Sequence, residues 1–323
     1  MCTAVTYQTK DHYFGRTLDL EYSYKEEVVV TPRKFPFEFR TMGRLDSHYA
    51  IIGMATVAED YPLYYEAANE RGLAMAGLNF PGNAHYFDKI PGKDNIAPFE
   101  FIPWILGQCE TLSQARQLLH KLNLCSISFS KELPLSPLHW IIADRSGAIT
   151  VESMADGLKI HENPVGILTN NPPFDYHMTH LCEYLNLSHL PAENRFGNVH
   201  LQPYSNGMGG IGLPGDLSSA SRFVRAAFVK LNSVSAETEE ESVSQFFHIL
   251  GAVAQQRGCV QMPDGRYEIT RYTSCINIDR GIYYYTTYEN SCICAVNMHR
   301  CDLTKNTLYR YPLIQNQTIH RQN

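Results

Sequence analysis

Several kinds of protein are excluded by what this chain of 323 residues lacks. It has no run of about 18 apolar residues, the length a membrane span requires, so no membrane insertion is expected. It has no basic run: Lys and Arg are scattered, and a net charge of −6 with a pI near 6.1 argues against nucleic acid as the main partner. Its first residues show no charged-then-apolar leader, which makes a cytoplasmic location the expectation. Its nine cysteines are odd in number and include no CxxC pair, which fits reduced thiols better than a disulfide framework or a Cys-based metal site. No repeat, low-complexity tract or Pro/Gly/Ser linker divides the chain, so residues 1–323 are expected to form one domain. What remains is an ordinary globular composition, 44% hydrophobic and 19% charged.

The most informative residue present is Cys2, directly after Met1. Methionine aminopeptidase removes an initiator methionine when the next residue is small. The mature chain would then begin with a thiol and a free α-amine on one residue. An α-amine titrates near pH ~7.7–8 and a thiol near ~8.5, so both can act close to neutrality. The amine can take the thiol proton and later hand it to a leaving group, joining nucleophile and base in one residue. Taken alone, a second-position cysteine is more often incidental, a small hydrophobe.

The next twenty residues strengthen the functional reading. Val5-Thr6-Tyr7 has strand composition, Lys10-Asp11-His12 has turn composition, and residues 13–20 read as a returning strand. Gly15 inside that strand signals close approach of another backbone. Such a hairpin returns residues 16–19 to the side of Cys2. Arg16 then supplies a fixed positive charge favouring thiolate. Asp19 supplies an acceptor able to hold or orient the α-amine. Singly, each is more readily a surface or ion-pair residue; around an N-terminal cysteine they form a constellation.

Further strands are expected at residues 27–31, 49–54 and 73–78, then 138–144 and 148–153, and finally 272–278, 281–288 and 292–298. Helical spacing appears at Ala115, Leu118, Leu119 and Leu122 behind a Thr111–Gln114 capping box, and at Met178, Leu181, Cys182 and Leu185. It recurs at Val224, Ala227, Phe228 and Leu231, and at Val243, Phe246, Phe247 and Leu250. This alternation of strand and helix blocks suggests helices covering two packed sheets.

Other features take bland readings. His177, His180 and Glu183 have helical spacing but lack the remaining ligands of a metal site, so a helix surface is expected. Cys292 and Cys294 are expected on one face of a strand, as a buried pair. Tyr283-Tyr284-Tyr285 reads as a sheet surface. The Gly-rich segment 205–216 lacks the GK[ST] ending of a phosphate loop. It reads as a loop near a site that delivers Arg222 early in the following helix. Asn79 and Asn170 stand at expected strand ends, where amides and backbone N–H groups serve either as oxyanion donors or as turn formers.

Taken together, Met1-Cys2-Thr3, Gly15-Arg16-x-x-Asp19, Ala76-Gly77-Leu78-Asn79-Phe80-Pro81, Leu168-Thr169-Asn170-Asn171-Pro172, Gly212-Leu213-Pro214-Gly215-Asp216 and Ser219-Ala220-Ser221-Arg222-Phe223 resemble the choloylglycine hydrolase family. The likeness is strongest to its bile salt hydrolase branch, with penicillin V acylases as relatives, and runs through essentially the whole chain. The resemblance implies an α+β, four-layer αββα sandwich of the N-terminal nucleophile type, usually a homotetramer, with no metal or cofactor. It implies Cys2 as nucleophile, Arg16 beside the thiol and Asp19 on the α-amine. It further implies Asn79 (through its backbone N–H) and Asn170 as oxyanion hole, and Arg222 supporting the network. It makes Leu18, Tyr24, Phe129, Leu133 and Leu138 candidates to line a pocket for conjugated bile acids, with the 205–212 loop a candidate for choosing between conjugates. Three rivals stand beside this reading: a penicillin V acylase with the same catalytic set, a silent steroid-binding protein, and a thiol redox sensor. The last lacks a resolving cysteine near Cys2.

Overall fold

A computed structural model describes all residues, 1–323. Fourteen strands build its two main sheets: β1 (Cys2–Gln8), β2 (His12–Leu20), β3 (Glu27–Thr31), β4 (Ile51–Ala58), β5 (Tyr61–Asn69), β6 (Ala74–Asn79), β7 (Leu138–Asp144), β8 (Gly147–Met154), β9 (Gly157–Glu162), β10 (Ile167–Leu168), β11 (Ile269–Asn277), β12 (Ile282–Thr287), β13 (Cys294–Asn297) and β14 (Tyr309–Pro312). Five helices accompany them: α1 (Phe101–Gln108), α2 (Leu112–Leu119), α3 (Phe174–Leu181), α4 (Ser219–Asn232) and α5 (Glu239–Gly251). One sheet runs β10-β1-β2-β11-β12-β13 and the other β9-β8-β7-β6-β5-β4-β3-β14, antiparallel throughout.

Period-two alternation creates the layers. Along β3, Val28 and Val30 join the core between the sheets, while Val29 joins a second core against α1 and α2. Along β6, Ala74, Ala76 and Leu78 face the first core and Met75 the second. On the outer face of the six-stranded sheet, α4 and α5 contribute Phe223, Ala226, Phe246 and Leu250. The chain is thus an α+β, four-layer αββα sandwich, as the sequence resemblance implied. No helix is long and apolar enough to cross a membrane.

The expected hairpin is present as β1–β2, and Gly15 shows why it closes. A Cβ there would stand 2.0 Å from the carbonyl oxygen of Ser274 on β11. Only glycine lets these strands pair at this point. Thr111 and Ser218 cap α2 and α4, each accepting a backbone N–H from the third residue on.

Five expectations fail. Leu122 does not extend α2 but opens a short strand, Leu122–Leu124, parallel to Asp94–Ile96. The helix at α3 gives way to a 3-10 turn over Cys182–Tyr184, leaving Leu185 84% exposed. Cys292 lies outside β13, and both it and Cys294 are half-buried rather than a buried pair. Tyr283 and Tyr285 are core residues, because β12 buries that face against the other sheet. His177 is fully buried rather than on a helix surface: its ring stacks on Phe223 at 4.8 Å and its Nε2 lies 2.9 Å from the Asn170 carbonyl.

Candidate active site

Cys2 opens β1, an interior strand flanked by β10 and β2, and is 3% exposed. Residues directly opposite in an antiparallel pair share a face, and Cys2 lies opposite Leu18. Cys2, Arg16 and Leu18 therefore point between the sheets, while Thr3, Thr17 and Asp19 point toward the α4 layer. The hairpin separates a thiol side from a polar scaffold side, and the two meet at the Cys2 backbone.

On the thiol side, Arg16 is buried. Its Nη1 donates to the carbonyls of Gly77 at 2.6 Å and Tyr65 at 3.3 Å, and its Nε to that of Thr17 at 3.2 Å. Burial alone would strip its charge, but the Cys2, Tyr272, Glu66 and Asp19 groups outweigh that and hold its pKa above the ordinary value. This permanently charged guanidinium and the Cys2 thiol share the cavity wall.

On the scaffold side, Asp19 accepts from Thr17 Oγ1 at 3.2 Å and Thr270 Oγ1 at 2.7 Å. Arg222, in the first turns of α4, reaches the strand ends. Its Nη1 donates to Thr3 Oγ1 at 2.6 Å and to the Cys2 carbonyl, and its Nη2 to Asn170 Oδ1 at 2.8 Å. Desolvation pulls its pKa down, opposed by Asp19, Cys2 and Glu268. Asn170 follows β10. Its Oδ1 also accepts the Cys2 backbone N–H at 2.8 Å, and its Nδ2 donates to the Asn79 carbonyl at 2.7 Å. Two donors on Oδ1 fix the orientation of this amide, so the second Nδ2 hydrogen stays free at the end of β6.

Met1 is attached to Cys2 here. Its ammonium donates to the backbone carbonyl of Asp19 at 2.6 Å and pairs with Glu268 Oε1 at 2.8 Å. The α-amine of Cys2, which Asp19 is expected to hold, is here a peptide nitrogen, and the terminal ammonium one residue upstream pairs with Glu268. Burial pushes the Glu268 carboxyl up, and the ammonium opposes it.

Cys2, Arg16 and Asn79 open onto a cavity of about 500 Å³. Eighteen of its 30 lining residues are hydrophobic, which suits an apolar ligand with a polar end. All five pocket candidates, Leu18, Tyr24, Phe129, Leu133 and Leu138, line it. Asp19, Asn170 and Arg222 lie outside its lining, and so does the whole 205–216 segment. The wall at residues 127–138 is tied at both ends. Arg40 donates to the Phe129 carbonyl at 3.1 Å with its guanidinium 5.4 Å from the Phe129 ring, and Tyr86 Oη donates to the Ser136 carbonyl at 2.7 Å. No three His, Cys, Asp or Glu side chains converge to hold a metal ion.

Residues 2–311 match the family described as linear amide C–N hydrolases, choloylglycine hydrolase family. The chain belongs to the choloylglycine hydrolase family. It is 55% identical over 314 residues to a bile salt hydrolase/transferase from Lactiplantibacillus plantarum, covering 97% of both chains. Its fold superposes on a variant of the conjugated bile acid hydrolase from Clostridium perfringens with a TM-score of 0.92, at 35% identity and full coverage of both chains. A penicillin V acylase from Agrobacterium tumefaciens shares the fold at 21% identity and a TM-score of 0.77, covering 98% of this chain and 93% of its own.

As a choloylglycine hydrolase the chain cleaves linear amide C–N bonds, and several groups around its site escaped the sequence reading. Thr3, Thr17 and Thr270 are hydroxyl partners of the scaffold, and Ser219 Oγ accepts the Asn170 N–H at 2.8 Å. Thr3 and Thr17 carried a usable signal, since both share the period-two face of Asp19. Thr270, Glu268 and Glu66 come from strands distant in sequence and carried none.

Proposed function

We propose that this choloylglycine hydrolase is a bile salt hydrolase that cleaves the amide joining a bile acid to glycine or taurine, with Cys2, freed of Met1, as its nucleophile. The observation that carries this reading is the Cys2–Arg16 pair opening onto a mostly apolar cavity of about 500 Å³. The 55% identity to a bile salt hydrolase/transferase along nearly the whole chain supports the substrate class.

The Cys2 thiolate attacks the amide carbonyl carbon, and the carbonyl electrons move onto oxygen. The free Nδ2 hydrogen of Asn170 and the backbone N–H of Asn79 stabilise that oxyanion. The Cys2 α-ammonium protonates the nitrogen as the C–N bond breaks, and the amino acid departs, leaving a thioester. The amine then takes a proton from water, which attacks the thioester and regenerates the thiolate. Asn170 Oδ1 holds the Cys2 nitrogen, while Arg222 holds Asn170.

We take residues 1–323 as one domain, because the eight-stranded sheet gives a face to each of the two cores. We also propose a homotetramer in the cytoplasm. What supports the assembly is the family resemblance together with apolar side chains standing open between α3 and α4, such as Phe196 and Tyr204, 73% and 86% exposed.

The test is release of glycine and taurine from glycocholate and taurocholate by purified protein, after intact mass has established loss of Met1. Cys2→Ser and penicillin V run in parallel. Release that vanishes in Cys2→Ser is expected. Cleavage of penicillin V alone would replace the substrate class, and no turnover of any of the three would refute the reading.

A further inference from the structure

Beneath Arg16, on the side away from the cavity, lies a carboxylate that the mechanism above does not use. Glu66 of β5 is fully buried between the sheets and does not line the cavity. Its Oε2 accepts Tyr272 Oη at 2.7 Å and lies 3.9 Å from Arg16 Nε, and its Oε1 accepts Tyr283 Oη. Both phenols come from the opposite sheet, with the Ser274 hydroxyl of β11 beside them, so each carboxylate oxygen is served by a donor. A carboxylate held this way is in its acceptor-only form. Burial nonetheless pushes the Glu66 carboxyl up, while Arg16, Tyr283, Tyr272 and Ser274 oppose it.

Arg16 thus stands between the Cys2 thiol, which shares the cavity wall with it, and the Glu66 carboxylate behind it. A buried cation shared by two anions attracts each less than it would attract one alone. We propose that Glu66 is a positioning residue of this hydrolase, which with Tyr272 and Tyr283 aims the Arg16 guanidinium at the Cys2 sulfur and, by offsetting its charge, sets how readily the thiol ionises. This rests on the reading of Cys2 as nucleophile. The charged and titratable groups around that thiol are Arg16 of β2 on its own face, the N-terminal amine and Glu268 on the cavity wall, and, from the opposite face of the hairpin, Asp19 of β2 and Arg222 of α4. Those facing Glu66 are Arg16, Tyr272 and Tyr283. Glu66 is the member whose loss leaves the cavity wall intact.

The sign separates this from a purely structural tie. Glu66→Gln keeps the shape, with the amide oxygen accepting from one phenol and the amide nitrogen donating to the other. It removes the competing charge, so the pH profile of Cys2 alkylation should move to lower pH by about one unit. The acid limb of kcat/KM should move with it, at unchanged KM. Alkylation by iodoacetamide is followed on the N-terminal peptide by mass spectrometry, because eight other cysteines are present. If Glu66→Gln does not fold, Tyr283→Phe removes one donor and favours protonation of the carboxylate, giving a smaller shift in the same direction. An unmoved profile, or a shift to higher pH from a loosened Arg16, overturns the proposal. A wild type that alkylates at Cys2 but turns over no amide refutes the hydrolase reading instead, so the two failures are distinct.

Discussion

The amide of Asn170 offers the sharpest separation of chemistry from scaffolding. Its Oδ1 is gripped by the Cys2 N–H and Arg222 Nη2, both at 2.8 Å, and its Nδ2 by the Asn79 carbonyl at 2.7 Å. Asn170→Asp is isosteric. It keeps an acceptor for both donors and strengthens the bond from Arg222 by adding charge. It removes the donor required by the oxyanion and puts negative charge in its place. Loss of one such donor costs about 2.7–4 kcal/mol of transition-state stabilisation, a fall in kcat of about 10²–10³. Asn170→Ala loses the same donor but also leaves buried Arg222 short of a partner, costing a further ~1–3 kcal/mol of fold stability. Steady-state kinetics on glycocholate and urea unfolding of both variants read these terms apart. Asn170→Asp should combine a collapsed kcat and little change in KM with a smaller stability loss than Asn170→Ala, because the charged bond from Arg222 offsets the acceptor–acceptor contact left at the Asn79 carbonyl. Wild-type kcat in Asn170→Asp would remove Asn170 from the oxyanion hole.

Other consequences are equally measurable. Gly15→Ala places a Cβ 2.0 Å from the Ser274 carbonyl oxygen, and the β2–β11 pairing should lose about 3 kcal/mol or more in urea unfolding; unchanged stability would mean the strands are not that close. Leu133→Ala shortens the cavity wall and should raise KM for conjugated bile acids about tenfold with a smaller effect on kcat; equal losses in both would place Leu133 nearer the chemistry. His12 and His177 are both held down to about 4 by burial. The unfolded chain binds their protons from pH ~6.5 downward, so their contribution to stability is present above about 6.5 and lost as pH falls toward about 4. Burial of neutral His177 is worth on the order of 3 kcal/mol of this pH dependence. His177→Gln should flatten the fall in urea midpoint across that window, and an unaltered slope would show that His177 is not buried neutral.

Parts of the molecule are readable from the chain because their causes are local. The β1–β2 hairpin follows from strand composition on either side of a polar turn, Gly15 marks its close contact with β11, and Ser218 caps the helix that delivers Arg222. The placement of Cys2 beside Arg16 follows from that hairpin alone. The failures have non-local causes. His177 and Tyr283 have polar or surface-like sequence contexts, yet the packing of α3 under α4 and of one sheet on the other buries them. Glu268, Thr270 and Glu66 join the site only because β11 and β5 flank it, and no spacing encodes that. The pairing of the terminal ammonium with Glu268 depends on a single residue, Met1, which places that ammonium one position upstream of Cys2.

The pairing of β2 with β11 also sets an order of events on the ribosome. Cys2 lies more than 250 residues ahead of the strand that completes its surroundings. At about 5–20 residues per second, roughly 12–50 s separate synthesis of the nucleophile from synthesis of the wall behind it. During that interval the first strands have an unsealed edge and Met1 has no Glu268 to hold it. In the finished protein the Met1 side chain is only 28% exposed and its ammonium is paired. Trimming is therefore easiest on the nascent chain, because a molecule that keeps Met1 folds with that residue in the cavity wall and its ammonium paired.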